Sequence, residues 1–251
     1  MRKAGRASDR RKQLLKTDNF FSLAAVMKSG QQREIHMMYV GRIVSVGKTA
    51  DGQLCAAYRV SSRSFPNRSA VVGNGKVSIV PKPGFESDIF KNPYIAYNCV
   101  RIVCDGAVAV VTNGGQTDFI AEKMAGGMSA RDALILTSFS MDYEKDDYNT
   151  PRISAVVDKR SDEGWLAVVR HDGLQVERIA LKNGFQWHLA TYEENFICPE
   201  RFDAFPATSA ESACAYMLSG GVFAERTNPV TAVAALAEES GFALAVQDFQ
   251  A

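Results

Sequence analysis

Apolar and polar positions alternate from Tyr39 to Gly47 and again from Gln53 to Val60, with Asp51-Gly52 between the two runs. A period of two sends successive side chains to opposite faces of an extended segment, and Asp-Gly between two such runs signals a hairpin. Ala70 to Val80 repeats the pattern around Gly73-Asn74-Gly75. Cys99 to Cys104 and Ala107 to Val111 flank another Asp-Gly turn at Asp105-Gly106, and both runs are nearly all apolar, as in a sheet covered on both faces. The period then changes. Thr117-Asp118 can cap a helix that runs to Ala125 and stops at Gly126-Gly127, and Ser129 can cap a longer one, with Asp132 three residues on. Ala133, Leu136, Thr137, Ser140 and Met141 recur at helical spacing, so that helix should lay one face on a sheet and end between Tyr143 and Asp147. Strands are expected again at 152–157, 165–170, 175–181 and 186–191, helices at 209–218 and 229–240, and a short strand at 243–246. Strands, helices and strands in that order describe a layered α+β domain without internal repeats.

Composition narrows the class. The 251 residues, 46% of them hydrophobic, suffice for one large core. No stretch reaches the roughly 20 apolar residues that span a bilayer. Five cysteines form no CxxC pair and leave one over in any pairing, which points to packed thiols in a reducing cytoplasm. His36, His171 and His188 lack metal-ligand spacing, so no metal is expected. The net charge of +1 hides an asymmetry: residues 1–38 carry nine Lys/Arg against three Asp/Glu, and the remainder twenty against twenty-five. A basic arm can serve nucleic acid or anionic lipid. The simpler reading makes 1–38 an inert extension, disordered or created by a start upstream of Met37 or Met38, and 39–251 the functional domain, with no nucleic acid or membrane partner.

Four polar-rich runs interrupt the apolar stretches. Ala57-Tyr-Arg-Val-Ser-Ser-Arg-Ser-Phe-Pro-Asn-Arg68 packs three arginines and three serines into twelve residues. A core would not tolerate that density unpaired. Arg59, Ser61 and Arg63 fall at period two, and guanidinium forks suit phosphate or carboxylate oxygens; the plain alternative is a solvated strand and turn. The other runs are Phe90-Lys-Asn-Pro-Tyr-Ile-Ala-Tyr-Asn98, Val111-Thr-Asn-Gly-Gly-Gln-Thr-Asp118 and Met141-Asp-Tyr-Glu-Lys-Asp-Asp-Tyr-Asn-Thr-Pro-Arg-Ile153. In this order and wording they resemble the archaeal-type inosine monophosphate (IMP) cyclohydrolase family, over roughly Tyr39 to Tyr192.

The resemblance implies the final step of purine nucleotide synthesis, in which 5-formamido-1-(5-phosphoribosyl)imidazole-4-carboxamide closes its second ring and loses water. It implies a four-layer αββα sandwich similar to the N-terminal nucleophile hydrolases. The Cys, Ser or Thr those hydrolases expose is missing, because the similar region starts at Met38-Tyr39. It also implies no cofactor, a purine nucleotide as the small-molecule partner, and a homo-oligomer such as a tetramer.

Ring closure needs the carboxamide and formyl groups held together, a donor or cation at the formyl oxygen, and a proton relay. Arg68, aimed by the Pro66 turn, is the candidate cation. Tyr97 is a candidate proton donor whose pKa neighbouring cations can lower, and Glu144, among crowded carboxylates, is the candidate acid/base. Arg59, Ser62 and Arg63 are candidates for the phosphate or ribose. Asn98, Asn113 and Asp118 are candidates for the carboxamide or ribose hydroxyls, as is Arg152. One departure stands out: where family members often read Asn-Gly-Ser-His-Thr-Asp, this chain has Gln116 in place of the histidine. Two other classes stay open, a nucleotide-binding protein without catalysis and an amide hydrolase of the N-terminal nucleophile type.

Overall fold

Most of the apolar runs become strands whose two faces are both covered. The computed structural model describes residues 39–250, so the basic extension lies outside the described residues. The elements in chain order are β1 (Ile43–Lys48), β2 (Leu54–Ser61), β3 (Arg68–Gly73), β4 (Lys76–Pro81), the single turn α1 (Asp88–Lys91), β5 (Tyr97–Val103) and β6 (Val108–Thr112). Then follow α2 (Gln116–Ala125), α3 (Ala130–Met141), β7 (Arg152–Asp158), β8 (Glu163–Arg170), β9 (Gly173–Ile179), β10 (Phe185–Ala190), β11 (Asp203–Ala204), α4 (Ala210–Ser219), β12 (Pro229–Glu238) and β13 (Gly241–Asp248). They build two antiparallel sheets, one of six strands in the order β11-β10-β1-β2-β12-β13, the other of seven in simple sequence from β3 to β9. The chain is α+β.

Period-two alternation decides where each side chain goes. Val44 and Val46 of β1 and Ala56, Tyr58 and Val60 of β2 meet Val77, Val111, Ile153, Ala155 and Val157 of the other sheet in one buried cluster. The odd positions of β2, Cys55 and Ala57, face the other way, onto Ala213, Cys214 and Met217 of α4. On the seven-stranded sheet Val108, Val110 and Val156 face out to Ile120 and Met124 of α2 and Leu134 of α3. Burying apolar surface on both faces of both sheets supplies the main driving force for this arrangement.

Both predicted central helices form. Ser129 caps α3 by accepting the Asp132 backbone N–H at 3.1 Å. The segment 229–240, expected as a helix, is instead the central strand β12, paired with β2 and β13. Its run of alanines is helix-forming in isolation, but here small side chains fit between α4 on one face and the second sheet on the other. Tertiary packing overrides propensity.

Arg59 is also corrected. Its side chain leaves β2 on the α4 face, fully buried, and donates to the carbonyls of Met217, Leu218, Phe223 and Arg226 at 2.6–3.1 Å and to Ser61 Oγ at 3.0 Å. It closes the C-terminal end of α4, where the last carbonyls lack helical partners. Replacing it by leucine leaves buried acceptors unpaired, at about 1–3 kcal/mol each. Urea denaturation of Arg59→Leu should therefore show a loss of at least about 3 kcal/mol; a loss under about 1 kcal/mol would deny it this structural role.

Candidate active site

Segments from five parts of the chain meet at one end of the sheet pair: the approach to β1, the β2–β3 loop, the segment between α1 and β5, the loop between α3 and β7, and the β10–β11 loop. Together they enclose a cavity of about 720 Å³ lined by Tyr39, Arg42, Ser62, Arg63, Ser64, Phe65, Asn92, Asp146, Tyr148, Tyr192 and Glu193. That volume suits a small-molecule ligand. Tyr39 stacks on Tyr192 with centroids 5.7 Å apart, and the Arg63 guanidinium lies 3.9 Å over Tyr39. Tyr148 meets Tyr192 edge-on. The result is an aromatic shelf suited to a flat ring.

The wall carrying Tyr192 is anchored from behind. Thr191 donates through its hydroxyl to the Val40 carbonyl and accepts the Arg42 backbone N–H, both at 3.1 Å. Gly41 sits at φ +72°, and a Cβ there would fall 2.2 Å from Thr191 Oγ1, so only glycine permits this approach. Glu194 accepts from Arg226 at 2.9 Å and from His188, 3.0 Å away. His188 thus serves the scaffold.

Beside the cavity lies a buried polar cluster. Glu144, 1% exposed, accepts from Arg152 Nη1 at 3.3 Å through Oε1, while Oε2 has no hydrogen-bond partner. Burial pushes its carboxyl up to about 7, against the pull of Arg42 and Arg152. Asp146 adds to the rise, so carboxylate crowding contributes, but desolvation is the larger cause. Arg68, 1% exposed, donates through Nε to the Phe65 carbonyl at 3.0 Å, leaving Nη1 and Nη2 unpartnered. The hydroxyls of Tyr97 and Tyr58 are 2.6 Å apart. The lowering expected for Tyr97 is not found: burial raises its pKa and outweighs Arg68 and Arg42, so the phenol keeps its proton at neutral pH.

Two side-chain amides fix Arg152 from behind. Its Nη1 also donates to Gln116 Oε1 at 3.2 Å, and Gln116 Nε2 donates to Asn113 Oδ1 at 2.8 Å. Asn113 is itself clamped on the start of β7, accepting the Ile153 N–H and donating to the Pro151 carbonyl, both at 2.9 Å. A Cβ on Gly114 would lie 2.7 Å from Gln116 Oε1, 2.9 Å from Arg152 Nη1 and 3.2 Å from Glu144 Oε1. That position is glycine because three polar groups converge on it.

The structure thus brings Arg68, Tyr97, Glu144, Arg152 and Asn113 together, with Ser62 and Arg63 on the cavity wall. It does not bring Asn98 or Asp118 there. Asn98 follows Tyr97 on β5 and so points to the opposite, helix-covered face, donating to Asp118 of α2 at 3.0 Å, while Arg101 pairs with Asp118 at 2.5 Å. Arg59 is occupied at α4. Sequence reasoning missed Arg42, Tyr39, Tyr58 and Tyr192. The one available signal was Arg42 standing alone in the apolar run around Val40 and Ile43.

An α+β fold with a carboxyl poised near neutrality, a protonated phenol and unspent guanidinium donors beside a ligand-sized cavity defines an acid–base enzyme acting on a small polar molecule. The IMP cyclohydrolase-like protein family matches residues 39–241, and this chain belongs to that family. The match runs through β12, well past Tyr192. The IMP cyclohydrolase of Methanosphaera stadtmanae is 49% identical over 198 residues, 79% of this chain and 94% of the relative. Those of Methanococcus maripaludis strain S2 (43% over 209 residues, 83% and 99%) and Methanocaldococcus jannaschii (41% over 211 residues, 84% and 99%) are similar over nearly their whole length.

The raised Glu144 carboxyl has a measurable cost. The unfolded chain releases this proton near 4.5, whereas the fold holds it to about 7. Between those values the folded state binds the extra proton, so this group's contribution to stability falls as pH rises and levels off above 7. The gap corresponds to about 3 kcal/mol. In urea denaturation, Glu144→Gln should gain about 3 kcal/mol on the parent between pH 4.5 and 8; parallel curves would show an unshifted carboxyl.

Proposed function

We propose that this chain is an IMP cyclohydrolase, converting 5-formamido-1-(5-phosphoribosyl)imidazole-4-carboxamide to IMP and water, the last step of purine nucleotide synthesis. The observation that carries the mechanism is Glu144, buried, with a pKa of about 7 and one carboxylate oxygen unspent. The carboxamide nitrogen attacks the formyl carbon, forming the C–N bond and moving the carbonyl π pair onto oxygen. Glu144 accepts the proton this nitrogen releases. Arg68, with two free Nη donors, faces the oxyanion. Glu144 then returns its proton to that oxygen, making it a hydroxyl. Tyr97 supplies the second proton, and water departs. The formamido nitrogen loses its own proton to Tyr97 as the C=N bond forms, so both catalytic groups end as they began.

Ser62 and Arg63 on the wall suit the phosphate or ribose, with the imidazole against Tyr39 and Tyr192. Arg152 and Asn113 position Glu144 from behind, and Asn98 and Asp118 support α2 against β5. The three hydrophobic clusters, helix on sheet, sheet on sheet and sheet on helix, support the four-layer αββα order of the N-terminal nucleophile hydrolases as the fold's class. Five unpaired cysteines support a reducing, cytoplasmic setting, and among the described residues no helix is long and apolar enough to cross a membrane. Assembly into a homo-oligomer belongs to the same reading, which the exposed Leu136 and Phe139 of α3 support.

Purified protein mixed with the formylated ribonucleotide should form IMP in a saturable absorbance assay without added metal or cofactor. Glu144→Gln should lower kcat by about 10²–10⁴ while IMP affinity changes little. Because the ionised carboxyl accepts the first proton, kcat/KM of the parent should fall below a bend near pH 7. Unchanged turnover in the variant would remove Glu144 from the chemistry.

A further inference from the structure

Arg42 stands apart from the other buried cations. It is 8% exposed and lines the cavity, yet among the described residues its guanidinium has no hydrogen-bond or ion-pair partner, and its Nε is both buried and unsatisfied. Buried Arg59 spends its donors on carbonyls, and Arg152 on Gln116 and Glu144. Arg68 resembles Arg42 in holding back buried donors, both of its Nη atoms, whereas Arg152 holds back only Nε and is tied through Nη1. Arg42 and Arg68 also sit within one another's field and share the surroundings of Glu144, Tyr97 and Tyr58.

Charge counting sharpens this. Arg42, Arg68 and Arg152 are buried cations in the cluster, and Glu144 is its buried anion; Asp146 and Glu193 line the cavity but are not buried to the same degree. Three positive charges against one leave mutual repulsion that an incoming negative charge relieves. Meanwhile the backbone beneath Arg42 is held on both sides: its N–H by Thr191 Oγ1, its carbonyl by the Thr191 N–H, and Gly41 by its close approach to Thr191. A fixed base under unspent donors is the condition for preorganised charge stabilisation.

We propose that Arg42 is a catalytic residue: with Arg68 it forms a two-guanidinium clamp that takes the negative charge developing on the formyl oxygen. This rests on the cyclohydrolase reading. When the carboxamide nitrogen bonds to the formyl carbon and the carbonyl pair shifts to oxygen, both cations face that oxygen until Glu144 delivers its proton. Neither arginine gives up a proton, and the clamp binds the transition state better than the neutral formyl group, so its loss lowers kcat more than it weakens ground-state binding.

The test combines turnover with IMP binding in the parent, Arg42→Met, Arg42→Lys and Arg42→Ala, each checked by its melting temperature. Arg42→Met should lose 10²–10³-fold in kcat with the dissociation constant for IMP changed less than about fivefold. Arg42→Lys, which keeps the charge without the fork, should fall between and covers the case of a methionine variant that fails to fold. Millimolar guanidinium ion should restore part of the turnover of Arg42→Ala, which a merely structural role would not allow. Parent-like kcat in folded Arg42→Met or Arg42→Lys, IMP binding lost in step with kcat, or no rescue would each overturn the clamp while leaving the cyclohydrolase reading intact. A parent protein without turnover would overturn both.

Discussion

A charge taken out of water inside a packed fold has to be answered by another group or destabilises the fold. The four buried arginines among the described residues record how each demand is met. Arg59 is met by carbonyls at the end of α4 and has become part of the scaffold. Arg152 is met at Nη1 by Gln116 and Glu144 and left open at Nε. Arg68 is met at Nε and left open at both Nη atoms, and Arg42 has no protein partner among the described residues. The unmet donors gather at one end of the molecule, beside the cavity. Elsewhere the interior between the sheets is mainly valine, alanine, isoleucine and leucine.

The same desolvation tunes the chemistry. It lifts Glu144 to about 7 despite neighbouring cations, and it keeps Tyr97 protonated. A carboxyl that can be charged or neutral at working pH and a phenol that holds its proton divide the two halves of a proton relay between them. Arginines then serve as fixed charge, because their pKa lies too far from neutrality to titrate. Asn113 and Gln116 complete the site by orienting Arg152, and they do so with amides that cannot ionise. Gln116 therefore takes a supporting place in which hydrogen bonding, rather than titration, is the requirement.

Much of this was legible in the chain. The Asp-Gly hairpins, α3 behind its Ser129 cap and the four polar runs fall where local signals put them, while α2 begins at Gln116 with Gly115 at its cap, so that Thr117 and Asp118 stand in its first turn rather than before it. The runs also carry Arg68, Tyr97, Glu144 and Arg152, which the fold assembles. Three readings could not be made locally. Arg59 and Arg63 share a parity and part only because β2 ends at Ser61 and the chain turns before Arg63. Asn98 differs from Tyr97 by one position on β5, and one position is one face. The alanine-rich segment of β12 carries helix propensity, and only its place between β2 and β13 makes it a strand.

By itself the sequence determined the chemistry on offer: a chain of two-faced strands, with arginine, tyrosine and glutamate in four short runs whose wording marks the family. Residue types and spacings suffice for that, since propensity and side-chain chemistry travel with the local chain. The tertiary structure alone decided which of those groups lose their water, and so which are scaffold and which are reactive. It brought Arg42, remote in sequence from every one of those runs' catalytic candidates, beside Arg68 and Glu144. Burial and proximity are properties of the packed sheets, and no single segment contains them.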